Sequence, residues 1–214
     1  DIPVYHPDVK AYEVKEERSG RFMGYFYADF FPRSSKKGGA WMTNFLEQGT
    51  WEGKLNRPHV SIVCNFTKPT ATQPSLLTLD EVRTLFHEFG HALHSILTDC
   101  TYATLSGTNV FWDFVELPSQ MMENWAYEQE GLALFAKHFE TGEILPAAMV
   151  KKIRDSSTFQ SGWMSMRQLS FGFLDLAWHA KDPSDVEDIE AFERLHLGRT
   201  QFFPPTAGTG SSAS

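Results

Sequence analysis

The chain is poor in cysteine: Cys64 and Cys100 are its whole complement in 214 residues. Two thiols far apart exclude a disulfide framework and a cysteine-built metal cluster. Cys64, inside the strand-like run His59–Phe66, reads as a small buried hydrophobe. Long apolar runs are missing as well. No stretch approaches the roughly 18 consecutive apolar residues that read as a bilayer-crossing helix. No secretory signal is visible, although the N-terminus looks internal to a longer protein. Basic clusters are also absent. Lys36-Lys37 and Lys151-Lys152 are the adjacent basic pairs, and the net charge is −8. Phosphate binding calls for clustered lysine and arginine, so neither nucleic acid nor membrane is an expected partner. No internal repeat or low-complexity linker divides the chain, which makes one domain-like unit the default.

What the chain has in quantity is apolar and aromatic mass. Its 18 phenylalanines and six tryptophans are enough for a real core. In a piece of a longer protein some of those rings would face missing parts, with association as a consequence. The coarse order has three parts. Asp1–Arg18 is polar and extended, and reads as loosely held. Residues 20–66 are β-rich: Arg21–Phe31, Ala40–Leu46 and His59–Phe66 are aromatic and β-branched runs punctuated by Pro32, Gly38-Gly39, Gly49, Gly53 and Pro58. A small antiparallel sheet is expected there, with one strand flanking a cleft. Thr67–Ser75 is a loop, and Thr78 or Asp80 caps the first helix. Residues 78–200 read as helical: Leu79–Leu97, Val110–Glu130 broken or started near Pro118, Gly131–His138, Pro146–Ser170, Phe171–Ala180 and Val186–Leu197, with turns at Gly142 and Pro183. The fold class is mainly α with a small antiparallel sheet, α+β.

The chemistry is concentrated in residues 87–91, His-Glu-Phe-Gly-His. On a helix His87 and His91 stand one turn apart on one face, so two imidazole nitrogens can meet one tetrahedral Zn²⁺. Glu88 sits beside them, able to take a proton from an activated water without being a ligand. Val82, Leu85, Phe86, Phe89, Leu93, Ile96 and Leu97 recur at helical spacing, which puts the pentapeptide on an amphipathic helix with a buried stripe. One zinc ion per chain is expected. The metzincin extension, Gly three residues on and His three beyond that, fails, because His94 and Leu97 hold those positions. His94 shares the direction of His87 around the axis but lies two turns along it, too far for a shared tetrahedral site, and reads as a neighbour. The third ligand then falls among Asp99, Asp113, Glu116 and Glu123. Spacing does not choose between Asp113, Glu116 and Glu123, although Glu116 is central. Gln120, one turn from Glu116, and Glu123, two turns on, are candidates to orient a ligand, since a ligating histidine usually donates its other N–H to an acceptor. The loop holding Ser106 and Gly107 could present backbone groups to an extended peptide, or be a plain connecting turn.

Longer stretches carry a more specific likeness. Leu85–His94 (LFHEFGHALH), Tyr102–Asn109 (YATLSGTN), Asp113–Glu123 (DFVELPSQMME), Gly24–Gln48 and Cys64–Leu77 together resemble the thimet oligopeptidase family of zinc metallopeptidases, and details such as YADFF and SKKGGAWM resemble its peptidyl-dipeptidase branch. The resemblance implies a zincin-like catalytic core, His87, His91 and Glu116 as ligands, Glu88 as general base, and short peptides as substrates. It also implies that residues 1–214 are a partial catalytic domain, lacking a helical N-terminal region and a glycine- and tyrosine-rich segment expected after Phe203-Pro204-Pro205. A complementary segment of the same enzyme is therefore an expected partner. The cytoplasm is the expected compartment, with the periplasm as the alternative.

Overall fold

The computed structural model describes residues 2–202. The Phe203-Pro204-Pro205 run and the tail Ala207–Ser214 lie outside the described residues. Contacts divide the chain into two compact units, Asp1–Val150 and Lys151–Ser214. No break in composition marks that boundary in the sequence.

The first unit begins with a four-stranded sheet. Its strands are β1 (Lys10–Lys15), β2 (Phe22–Asp29), β3 (Trp41–Leu46) and β6 (His59–Val63), in the order β1-β2-β6-β3. The sheet is mixed, which corrects the antiparallel expectation: β1 pairs antiparallel with β2 and β3 with β6, but β2 and β6 run parallel, with Phe26 opposite Val60 and Ala28 opposite Ile62. Parallel pairing arises because the chain between β2 and β6 is long enough to cross over. It forms β3 and a separate hairpin of β4 (Gly49–Trp51) and β5 (Lys54–Asn56), which the sequence reading missed. The hairpin turn is Glu52-Gly53, both in the left-handed region, the geometry that suits a two-residue hairpin.

The N-terminal segment is not loosely held. Residues Lys10–Lys15 form an edge strand, and the Tyr5 hydroxyl donates to Asp29 at 3.0 Å. The strand pairs because its backbone groups must be satisfied and β2 offers a free edge; a polar composition does not prevent that.

Helix α1 (Leu79–Leu97) lies on this sheet. Thr78 is its N-cap: the Thr78 hydroxyl accepts from the Glu81 N–H while the Glu81 carboxylate accepts from the Thr78 N–H, a complete capping box. Leu85, Phe89, Ala92 and Ile96 recur at helical spacing and pack on Met23, Val60, Ile62, Cys64 and Phe66 from the sheet. The apolar face is narrower than the sequence suggests. Leu97 is exposed, and Leu93 turns instead toward a small cavity with Met121 and Met122. At the other end of α1, Arg57 donates to the carbonyls of Ile96 at 2.6 Å, Thr98 at 3.1 Å and Met23 at 3.0 Å, satisfying end carbonyls of the helix and tying it to β2.

The expected helix over Val110–Glu130 is three pieces: α2 (Trp112–Val115), α3 (Leu117–Glu123) and a 3₁₀ turn over Asn124–Ala126. Pro118 cannot donate a helical hydrogen bond and fits the first turn of α3, so a new helix starts there. Glu116 is the joint, at φ −85°, ψ −3°. Helix α4 (Gln129–Phe135) completes the unit.

Helix α5 (Ala147–Ser157) carries the unit boundary. Beyond it, α6 (Ser161–Ala180) packs against α7 (Ile189–Leu197), with Trp178 on Phe192 at 4.4 Å between ring centroids. The helix expected to end at Ser170 runs unbroken to Ala180. The real interruption is at Gln160, which adopts a left-handed φ of 56°.

Candidate metal centre

Two helices build the site. His87 and His91 project from one face of α1, with ring centroids 5.0 Å apart. Across from them, the joint between α2 and α3 presents Glu116. One carboxylate oxygen, Glu116 Oε2, stands 3.2 Å from His87 Nε2 and 3.2 Å from His91 Nε2. Among the described residues these three side chains are the His/Cys/Asp/Glu group able to share an ion, with one donor atom from each lying within 4.8 Å of the others. Ligands about 2.0–2.1 Å from a tetrahedral zinc are separated from one another by about 3.3 Å. The two imidazole–carboxylate separations match that edge, and two nitrogens with one oxygen is a zinc donor set that leaves a position open. The residues present fit the ion.

The helices approach this closely because of Gly90. A Cβ there would fall 2.5 Å from Ser119 Cα and 2.6 Å from the Pro118 carbonyl oxygen. Any side chain at position 90 would drive α3, and Glu116 with it, away from the histidines.

Each of two donors is held from behind. His87 Nδ1 lies 2.7 Å from Glu123 Oε1, so the ring nitrogen that faces away from Glu116 donates to a carboxylate. Arg83 Nε approaches the other Glu123 oxygen at 3.9 Å. Ser119 Oγ donates to Glu116 Oε2 at 2.8 Å. His91 Nδ1, by contrast, is buried with no hydrogen-bond partner among the described residues. Burial pushes the His91 imidazole toward its neutral form, and the His87 and His94 rings add to that while Glu116 opposes it. A neutral imidazole is the form that binds a metal.

Glu88 is buried, at 7% exposure. Burial raises its carboxyl above the ordinary range. The neighbouring His87 counters this, the Glu116 charge reinforces it, and a hydrogen bond from the Met42 backbone on β3 again counters it. Through Met42, β3 is the strand of the sheet that reaches Glu88. An open groove of about 490 Å³ adjoins Glu116, lined by Thr108, Asn109, Val110, Trp112 and Val115.

Residues 1–210 match the family model described as peptidase family M3. The chain belongs to peptidase family M3. Similar M3 relatives include the dipeptidyl carboxypeptidase of Escherichia coli (strain K12), 46% identical over 90% of this chain, and oligopeptidase A of the same organism, 45% identical over 85%. The organellar oligopeptidase A of Arabidopsis thaliana is 43% identical over 95% of the chain. The chain spans 28%, 27% and 26% of those relatives' own lengths, respectively.

The other residues singled out in the sequence are distributed unevenly. Glu123 stands behind His87. His94 stays outside the donor group, with its ring against Phe114 at 6.1 Å, as a neighbour would. Asp99 and Asp113 are exposed and do not join the donors; Gln120 is exposed too, and its backbone N–H donates to the Glu116 carbonyl. Ser106 is buried, and Gly107, at φ 56°, donates its N–H to Thr98 Oγ1 at 3.2 Å and has no room for a side chain, since a Cβ there would fall 2.9 Å from Ser95 Oγ. That loop is turned toward α1 and does not offer its Gly107 N–H to a peptide. Ser119 and Gly90 were not singled out. A lone glycine inside a helical pattern is the one sequence signal of close approach that could have flagged Gly90. A serine three residues beyond a carboxylate carries no such signal.

Proposed function

We propose that the chain carries the metal-binding core of a zinc-dependent peptidase that hydrolyses short peptides, releasing C-terminal dipeptides or cutting as an oligopeptidase. The observation that carries this reading is the convergence of His87 Nε2, His91 Nε2 and Glu116 Oε2 beside a buried Glu88. Membership of peptidase family M3 and similarity to a dipeptidyl carboxypeptidase and to oligopeptidases supports peptides as the substrate class.

His87, His91 and Glu116 would hold the ion. Zinc in such a site supplies Lewis acidity, polarising the scissile carbonyl and making water nucleophilic near neutral pH. Glu88 takes the proton of the attacking water on its carboxylate and returns it to the departing amine nitrogen, the two duties of a peptidase base. The raised affinity of its buried carboxyl for a proton suits both halves of that transfer. Glu123 keeps the proton of His87 on Nδ1, leaving Nε2 with its lone pair toward the donor group. The Thr108–Val115 groove beside Glu116 gives an extended peptide a path past these residues.

A second reading, that the chain binds zinc but needs further polypeptide for turnover, is favoured by its span of under a third of its relatives' length. Oxyanion donors and channel walls supplied from elsewhere would explain a silent site; losing a single oxyanion donor costs about 10²–10³ in rate. Zinc content by elemental analysis, with kcat/KM on a fluorogenic peptide for this chain and for a version extended to the relatives' length, separates the two. One zinc per chain with turnover only in the extended form supports the second. Equal kcat/KM shows that residues 1–214 hold the whole apparatus. Absence of zinc from both forms removes the reading altogether. Glu88→Gln should keep zinc and lose hydrolysis; loss of metal as complete as in His91→Ala would show Glu88 to be a ligand and not the base.

A further inference from the structure

The donor that most needs fixing is Glu116. Its side chain is 48% exposed, it has three rotatable bonds, and it sits at a joint between two short helices instead of inside a regular turn. An unrestrained glutamate there would spread over several rotamers, whose loss on binding an ion costs affinity. One hydroxyl opposes that spread. Ser119 is fully buried, and its Oγ lies 2.8 Å from Glu116 Oε2 and 2.9 Å from the Glu116 carbonyl oxygen. The same Oε2 is the atom that stands 3.2 Å from both His87 Nε2 and His91 Nε2. The backbone does not need the serine. The Glu116 carbonyl already accepts from the Gln120 N–H at 2.9 Å, so the hydroxyl is not required to satisfy it. Position 119 is itself fixed, because its α-carbon is seated directly on Gly90 of α1, between the two histidines.

We propose that Ser119 is a positioning residue of the metal centre: its hydroxyl, clamped against Gly90, aims the Glu116 carboxylate at the two histidines so that the three donors are assembled before an ion arrives. The proposal rests on the zinc reading. Ser119 touches neither ion nor substrate and acts only through Glu116. Its contribution is therefore to the affinity of the site, and it should vanish when Glu116 is absent.

The test is a double-mutant cycle on the 214-residue chain, read as zinc affinity in competition with a chromophoric chelator. Ser119→Ala, which removes one oxygen and keeps the methylene, should weaken zinc binding about tenfold, the lower end for loss of a group that orients a ligand. In a Glu116→Ala background the same substitution should change affinity by less than about twofold, because no carboxylate remains to be aimed. Co²⁺ loaded in place of zinc should show an altered visible spectrum in Ser119→Ala, since a wandering carboxylate changes the coordination. Unchanged affinity in Ser119→Ala overturns the proposal. So does an equal loss in both backgrounds, which would mark Ser119 as a general packing residue. A wild-type chain that binds no zinc overturns this proposal, and takes the zinc reading with it when the extended form binds none either, whereas a zinc-binding wild type with an unaffected Ser119→Ala overturns this one alone.

Discussion

Asp29 holds a negative charge where almost no water reaches it, at 1% exposure. Three donors make that possible. Arg33 grips both carboxylate oxygens at 2.8 and 2.9 Å, Lys36 Nζ donates to Oδ1 at 3.0 Å, and the Tyr5 hydroxyl donates to Oδ2 at 3.0 Å. Burial alone would push this carboxyl up; the hydrogen bonds from Arg33, Lys36 and Tyr5 outweigh burial and hold it below its ordinary value. A carboxyl held down in the folded state adds stability above its unfolded value near 3.9, and that stability fades as pH falls through the folded value. Asp29→Asn leaves the Lys36 ammonium, 2% exposed, without its counter-charge, and should cost about 3 kcal/mol in urea unfolding at neutral pH. The deficit should shrink below about pH 4, where the wild type loses the same interaction. A deficit that stayed constant down to pH 2 would show that Asp29 acts through packing and not through charge.

A second residue-scale outcome concerns Glu123. Its contact with His87 Nδ1 fixes which nitrogen faces Glu116, so Glu123→Gln, which can still offer a carbonyl but not a charge, should weaken zinc affinity by about 10-fold. Chelator competition measures this directly. Affinity equal to wild type would reduce the Glu123 contact to a surface ion pair with Arg83.

At the scale of elements, the site is a contact between two helices from different stretches of chain. α1 brings the histidines and α3 follows the glutamate, and they meet at Gly90 and Ser119 with no room for a methyl group. Gly90→Ala improves the intrinsic helix propensity of α1 by about 1 kcal/mol, yet it forces backbone apart at the contact, and overpacking of this kind costs about 1–3 kcal/mol. The balance should be a modest loss of thermal stability together with a larger loss of zinc affinity, since Glu116 rides on the displaced helix. Comparing unfolding midpoints without metal and chelator-competition constants for both proteins checks it. A stabilised variant with full zinc affinity would mean that α3 yields without moving Glu116. The N-terminus of the same helix offers a simpler outcome: Thr78→Ala removes half of the capping box and should cost about 1 kcal/mol without changing metal affinity.

At the scale of the whole molecule, α6 stands out as a helix without enough cover. Trp163, Met164, Leu169, Phe171, Phe173 and Leu176 are all between 41% and 65% exposed, while Leu174 is its buried residue. A helix that is apolar around most of its circumference is ordinarily enclosed on most sides. The relatives are more than three times as long as the matched region, which supplies ample polypeptide for such an enclosure. The isolated chain should therefore bind a hydrophobic dye strongly and show concentration-dependent sedimentation, and a chain extended to the relatives' length should do neither. Equal dye binding by both would mean that the added polypeptide leaves these rings uncovered. Among the described residues no helix is long and apolar enough to cross a membrane.

Local rules made part of this protein readable from its residues. Helix α1, a cap at Thr78 or Asp80 and the shared face of His87 and His91 follow from 3.6-residue periodicity and end chemistry, which act within a few residues; the structure selects Thr78. The three main strands follow from runs of aromatic and β-branched side chains. The sequence alone stopped at the third donor: Asp113, Glu116 and Glu123 are equivalent by spacing, and it was likeness to a family that singled out Glu116. Tertiary structure brings Glu116 to the histidines and puts Glu123 behind them, because that choice depends on where the chain breaks at Pro118 and how closely α3 can approach Gly90. The parallel pairing of β2 with β6, the β1 edge strand and the role of Ser119 were likewise beyond local reading. Each depends on a contact outside its own segment, with β6 for β2, with β2 for β1 and with Gly90 for Ser119, and side-chain pattern records which face is buried but not what covers it.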